Sequence, residues 1–545
     1  MKKTMKILAL VLAALMMMSL LAACGGGESG GSNTPAQSPA SSAPAPAASP
    51  DVGGGLVGAV ATEGAKYKED ITIIVDTQPS TLNRFLAGSN DNTARWSMVM
   101  FSDRLIDNVG GEFVPMLATE WSTDDYKTFT FKLRDDVVFH NGEKFTADDV
   151  VYTWERAREA VGTEVYDNIG RGLDKIEAVS DTEVKITLSD VDVDYFIKVS
   201  VPSAGIANRK AGEADAENGD LVGTGPWVVK NFLSGQSVEL TRNDNYWGEI
   251  PKTKNIKLLC IGEQGTRMLM LENGEVEVAF GTNFYSDYPV LENDDRFQAF
   301  PYIANNPAYI GFNMNDPVTG DLNFRKAVIS CIDRETMAAV SRSGYAIPIL
   351  DKGNFWGYQT LYENTDIPVI PYDLEAAKEY LAKSNYNGEE VSILCALDNF
   401  LSDAPLLQEQ LIKIGVNAVV KQVDLPTIRA MTAYDNNSAQ IIAHTGNWTL
   451  DPSCVLGWYG VGGANNKASY HNEEVCKLIE EAATMTDTAQ REAAYKRIQE
   501  LAAEDLPFVA TYYIQHVIGA LQGVGGIRLE STTYHNLSYV YMIEE

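Results

Sequence analysis

The chain has 545 residues, 43 of them basic and 74 acidic, for a formal net charge of −31. An acidic excess of this size repels a phosphate backbone and excludes nucleic acid as a partner; its direct consequence is solubility. The folded part beyond the N-terminal leader and linker is about 480 residues, more than one simple core accommodates, so two or more lobes are expected.

Lys2, Lys3 and Lys6 precede an apolar run from Ile7 to Ala23 that only Ser19 interrupts. A basic start, a short apolar stretch and small residues at its end make a signal peptide (residues 1–23) rather than a membrane span, which needs roughly 20 apolar residues. The end of the run, Leu21-Ala22-Ala23-Cys24, resembles the bacterial lipobox, which implies a lipid on the Cys24 thiol. From Cys24 to residue 65 the chain is mostly Gly, Ser, Pro and Ala. That composition buries too little apolar surface to fold and gives a flexible tether with a reach on the order of 35 Å. No later stretch approaches membrane length, so the lipid is the expected anchor.

From Thr128 to Leu133 the apolar residues Phe129, Phe131 and Leu133 alternate, as in a half-buried strand, and Val137 to Phe139 is expected to form a second short one. Asn141-Gly142 is a turn; Thr146 followed by Asp149 predicts a capping box opening a helix through Trp154. Val184, Ile186 and Leu188 alternate, as do Val238 and Leu240. Helical spacing follows: Phe324, Val328, Cys331 and Ile332; Leu407, Leu411 and Ile414, stopped by Gly415; Val475, Leu478, Ile479 and Ala482; and Ala494, Ile498 and Leu501. Strands alternating with helices predict an α/β protein, with a change of texture near residues 301–320.

Catalytic patterns are missing from the sequence. It contains no His-Glu-x-x-His, no Gly-x-Ser-x-Gly and no Gly-x-x-x-x-Gly-Lys-Ser/Thr. His140, His444, His471, His516 and His535 are scattered, so no metal site and no cofactor is expected, and a secreted hydrolase is the least favoured reading. Beyond Cys24, the cysteines Cys260, Cys331, Cys395, Cys454 and Cys476 form no metal knuckle and read as small buried residues, with one disulfide left open.

A series of longer segments carries more information. Val114-Pro115-Met116-Leu117-Ala118-Thr119-Glu120-Trp121 leads to Phe139-His140-Asn141-Gly142-Glu143-Lys144-Phe145-Thr146-Ala147-Asp148-Asp149-Val150. Then come Val222-Gly223-Thr224-Gly225-Pro226-Trp227, Asn243-Asp244-Asn245-Tyr246-Trp247, Ile310-Gly311-Phe312-Asn313 and Ile332-Asp333-Arg334-Glu335. In order and spacing these blocks resemble the family 5 extracellular solute-binding proteins, the dipeptide, oligopeptide and nickel receptors of ABC importers, and the resemblance extends over about residues 70–515. Taken alone, Gly223-Thr224-Gly225-Pro226 is a tight turn and not a phosphate cradle, since no lysine or helix start follows.

The resemblance implies a two-lobed periplasmic-binding-protein-like fold with an extra subdomain in lobe I. Lobe I would hold residues 66–305 and 512–545, its subdomain about 101–209, and lobe II residues 306–511. The chain would cross between lobes near Tyr302 to Asn306 and near Thr511 to Tyr513. A monomer on the outer face of the cytoplasmic membrane would capture a peptide or similar small solute between the lobes and deliver it to the permease subunits. The family's ligand-reading segment matches His444, Thr445, Gly446, Asn447, Trp448, Thr449, Leu450, Asp451 and Pro452. Peptide-binding members carry at the position of Trp448 an aspartate that pairs with the peptide's ammonium, so a non-peptide solute (a metal chelate, a sugar or an opine-like compound) stays open beside a peptide. Trp448, Trp458, Tyr459, Trp356, Tyr358 and Tyr513 are candidates for an aromatic cleft, with packing inside a lobe as the alternative, and Asp451 for a ligand contact or a turn cap.

Overall fold

The computed structural model describes residues 56–109, 111–280, 287–358, 360–396, 403–446, 448–449, 451–529 and 535–544. Cys24 and Asn447 lie outside the described residues.

The strand Phe508–Leu521 organises the fold. It is buried along all but its last residue, and its run of apolar and small side chains suits a strand covered on both faces. Its first part pairs antiparallel with Ala308–Phe312, Gly311 facing Phe508 and Ala308 facing Tyr512. Its second part pairs with Phe297–Ile303, Ile303 facing Gln515 and Phe297 facing Leu521. Outward from Ala308–Phe312 the sheet continues through Ile441–Thr445, Val391–Ala396 and Ala418–Val423. On the other side come Val278–Ala279, Asp70–Val75, Asn255–Cys260, Ser237–Arg242 and Trp227–Leu233. Two wings of sheet, each with its own cores, therefore share one strand. The chain passes from one wing to the other between Ile303 and Ala308, and again inside Phe508–Leu521.

The wing formed early in the chain carries a further unit. Ala118–Ser122, Thr128–Leu133, Glu183–Leu188 and Leu173–Ser180 make a four-stranded antiparallel sheet. Helix Ala147–Glu159 covers it, and Phe129, Phe131, Trp154 and Tyr195 fill the space between. Asp149 accepts from the Thr146 backbone N–H at 3.0 Å, the expected capping box, and the helix runs past Trp154 to Glu159. Val137 to Phe139 does not extend into a strand: Phe145 N–H donates to the Val137 carbonyl and Phe139 N–H to the Glu143 carbonyl, which makes a single bridge between Val138 and Lys144 around the Asn141-Gly142 turn, and the chain then enters the helix cap at Thr146. Gly415 takes φ +96° after helix Asp403–Lys413, the left-handed conformation that makes glycine the natural stop there.

The quoted motifs build this scaffold. Asp103 is buried and its carboxylate accepts from Trp247 Nε1 at 2.8 Å, Thr224 Oγ1 at 3.0 Å and the Tyr246 hydroxyl at 3.2 Å. Gly223 is required by close approach: a Cβ there would stand 1.8 Å from the Phe101 carbonyl oxygen. His140 Nε2 donates to the Gly225 carbonyl at 2.9 Å while its Nδ1 accepts from Gly223 N–H at 3.3 Å. The five described cysteines beyond the leader are free, three of them buried.

Candidate functional site

The segment after strand Ile441–Thr445 is fastened to the residues that cross between wings. Gly446 N–H donates to the Pro307 carbonyl and Trp448 N–H to the Asn305 carbonyl, each at 2.9 Å. Asn305 Nδ2 donates to the Thr449 carbonyl and to Thr360 Oγ1, each at 3.1 Å, and Thr360 Oγ1 donates to the Thr449 carbonyl at 2.7 Å. The crossing is thereby tied by hydrogen bonds to Gly446, Trp448 and Thr449.

The aromatic candidates form one packed body. The Trp448 and Trp458 rings stack 5.4 Å apart at 7°. Phe355 stands edge-on to both, at 5.3 and 4.9 Å, and Trp356 lies 5.0 Å from Trp448. Trp356 Nε1 donates to the Thr360 carbonyl at 3.2 Å, whereas the buried Nε1 atoms of Trp448 and Trp458 have no partner. Tyr513 is buried beside Tyr358, its hydroxyl 3.5 Å from the Trp356 carbonyl, and Tyr459 donates to the Phe355 carbonyl at 3.0 Å. The structure thus brings Trp356, Trp448, Trp458 and Tyr513 together, in the core of the later wing. Gly446 makes room for them, since a Cβ there would meet the Trp458 ring at 2.7 Å.

His444 faces Tyr309 and Thr445 faces Ala308 across the strand pair. Burial pushes the His444 imidazole down to about 4, so it is neutral and poorly suited to holding an anion. Asp451 accepts from Ser453 N–H at 2.7 Å and caps the short turn Pro452–Cys454. Burial pushes its carboxyl upward, against the pull of that hydrogen bond and of Arg491.

Arg491 introduces a contact that the sequence does not announce. From helix Thr488–Asp505 of the later wing its Nη2 reaches both carboxylate oxygens of Asp194, in the four-stranded unit of the earlier wing. Neither side chain belongs to a motif and 297 positions separate them, so no local signal points to the pair. A cavity of about 350 Å³ lies elsewhere in the later wing, among Arg334, Asn354, Ile370, Glu500 and Leu506. Arg334 spends its donors there on the Ile370 and Ala510 carbonyls, at 3.1 and 3.3 Å, a structural use. Among the described residues no group of His, Cys, Asp and Glu is placed to hold a metal ion.

Residues 112–467 match the model of the bacterial extracellular solute-binding proteins, family 5. The chain belongs to this family. Heme-binding protein A of Haemophilus influenzae is 26% identical over 459 residues, 76% of this chain and 82% of that one. Di/tripeptide-binding protein 1 of Pseudomonas aeruginosa is 26% identical over 434 residues, covering 73% and 80% of the two chains. Among solved structures, the ABC transporter substrate-binding protein CtaP of Listeria monocytogenes superposes with a TM-score of 0.78 at 24% identity, over 88% of this chain and all of that one. NikA of Brucella suis in complex with Fe(III)-EDTA gives 0.78 at 20% identity, over 88% of this chain and all of that one. The fold is the two-lobed one of periplasmic binding proteins, its wings being the lobes and the four-stranded unit a subdomain of the first. As a family 5 protein the chain is a solute-binding component of an ABC importer that works outside the cytoplasm, and it is a transport receptor rather than an enzyme.

Proposed function

We propose that this receptor is anchored by a lipid on Cys24 and, as a monomer, encloses a short peptide between its lobes and passes it to the importer's permease subunits. Lobe I takes residues 56–305 and 515–545 with its subdomain near 101–209, and lobe II takes residues 306–514; the pairing of Leu56–Gly58 with Val524–Arg528, and of Ala346–Pro348 with Tyr512 to Ile514, supports these bounds over the expected tether to residue 65 and crossing at 511–512. The observation that carries the reading is the fastening of Gly446, Trp448 and Thr449 to Asn305 and Pro307: the segment that reads ligand in relatives is tied to the chain crossing, so solute capture and closure move together. Relatives named for di/tripeptide, D,D-dipeptide and oligopeptide binding support a peptide. His444, Thr445, Asn447, Asp451, Trp356, Trp458 and Tyr513 stand beside Gly446 and Trp448 as the proposed ligand surroundings.

Trp448 favours a second reading, a non-peptide organic solute or chelate. An indole supplies an apolar face and one N–H donor, and Trp448 Nε1 is buried without an acceptor, but it cannot neutralise an ammonium. Thermal-shift screening of the purified domain against peptide, sugar and metal-chelate libraries separates the readings: stabilisation by peptides alone supports the first, and by chelates or sugars alone the second. Intact mass and membrane fractionation test the anchor. Cys24→Ala is expected to release the protein into the soluble fraction, and a variant still bound to membrane with unchanged mobility would overturn the assignment.

A further inference from the structure

Asp194 and Arg491 meet across the lobes with almost no solvent around them, the side chains retaining 5% and 10% of their exposure. Each is set up by its own lobe. Arg491 Nε donates to the Ala482 carbonyl at 3.2 Å and its guanidinium lies 5.3 Å from the Tyr495 ring, which leaves Nη2 facing the first lobe. Asp194 precedes the short helix Tyr195–Lys198, which is held to the subdomain by Trp154 Nε1 donating to the Tyr195 hydroxyl at 2.7 Å. Two further carboxylates act on the pair. Asp192 is matched by Lys198 at 2.6 Å, while Asp451, from the ligand-reading segment, is buried near Asp194 and Arg491. The guanidinium pairs directly with Asp194 alone.

We infer that Asp194 and Arg491 form the clasp that holds the cleft shut. The inference rests on the two-lobed closing receptor described above. A buried ion pair gains little net energy over its hydrated parts, but a partner left alone in the same place is strongly penalised, so such a pair defines one closed geometry more than it deepens it. The two charges are unequal in consequence. Without Arg491, Asp194 is left as a buried anion with no cation, and closure is opposed. Without the Asp194 charge, Arg491 keeps the Ala482 carbonyl and the Tyr495 ring, and closure is weakened less. Removing both charges leaves neither ion unpaired and restores closure.

Single-molecule energy transfer on the ligand-free domain reads the lobe distribution directly and needs no knowledge of the solute. Dyes on cysteines at the exposed Val179 and Val461, with Cys454 and Cys476 changed to serine, place one probe on each lobe. The wild-type protein should show a closed population. Arg491→Gln should lower the closed-to-open ratio at least fivefold, Asp194→Asn by a smaller factor, and the double variant should return to within twofold of wild type. A wild-type protein with no closed population, an Arg491→Gln variant with an unchanged ratio, or a double variant that stays as open as Arg491→Gln would each overturn the clasp. Melting temperatures within a few degrees of wild type confirm folding; should Arg491→Gln not fold, Asp194→Asn and Arg491→Lys carry the test, and unchanged ratios in both overturn it. Because no solute is added, failure here leaves the receptor reading to the library screen.

Discussion

The indole of Trp448 lies flat on that of Trp458, 5.4 Å away and 7° from parallel. The stack makes Trp448 a piece of lobe II's core. Trp458→Ala should cost about 3–5 kcal/mol of stability, the scale for emptying a large aromatic site. Gly446→Ala should cost about 1–3 kcal/mol by overpacking, since the added carbon meets Trp458 at 2.7 Å. Urea unfolding of both variants checks the ranking.

For solute binding, Trp448→Ala should weaken affinity by about 1–3 kcal/mol, the scale of a lost aromatic contact. N-acetylation of a peptide ligand should change affinity less than tenfold, because no carboxylate stands at position 448 to meet the free terminus. Calorimetry with matched free and acetylated peptides measures this. A loss of a hundredfold or more would assign the ammonium to another acid, Asp451 being the buried carboxylate of the segment.

His140 gives a pH dependence of known sign. Its Nδ1 accepts from Gly223 N–H and its Nε2 donates to the Gly225 carbonyl, so the folded state holds the neutral ring, and burial pushes it down to about 4 from an ordinary 6.5. The unfolded chain takes up the proton near 6.5 and the folded one only near 4. The contribution is thus complete above pH 6.5 and lost as pH falls towards 4, on the order of 1–3 kcal/mol. Unfolding free energies at pH 7.5 and 4.5 should therefore converge in His140→Gln relative to wild type.

Asp103→Ala leaves three donors, from Trp247, Thr224 and Tyr246, without their common acceptor. Each orphaned buried donor costs about 1–3 kcal/mol, so this change should rank among the most destabilising in lobe I. Amide exchange should rise around Thr224 and Trp247 while lobe II keeps its protection.

The fold was legible because its signals are local. Phe129, Phe131 and Leu133 alternate, Thr146 and Asp149 form a capping box, and Gly415 ends a helix, and each of these elements stands where the spacing places it. The strand expected at Val137 to Phe139 is cut to one bridge because the Asn141-Gly142 turn closes it on one side and the helix cap at Thr146 takes the chain away on the other. The glycines of Gly223-Thr224-Gly225 carried a meaning that spacing alone does not convey: they admit the backbone near Phe101, a contact made by chain folding. At the candidate site, the packing of Trp356, Trp448 and Trp458 and the Asp194–Arg491 contact depend on how distant parts of the chain come together, which no local spacing conveys.

The central claim, that the chain captures a solute and returns it unchanged, is tested most directly by releasing whatever co-purifies with the native domain, identifying it by mass spectrometry and titrating it back. The account predicts one equivalent bound reversibly and recovered chemically intact after prolonged incubation. Catalytic turnover of that compound by the pure domain, or its failure to bind at all, would contradict it.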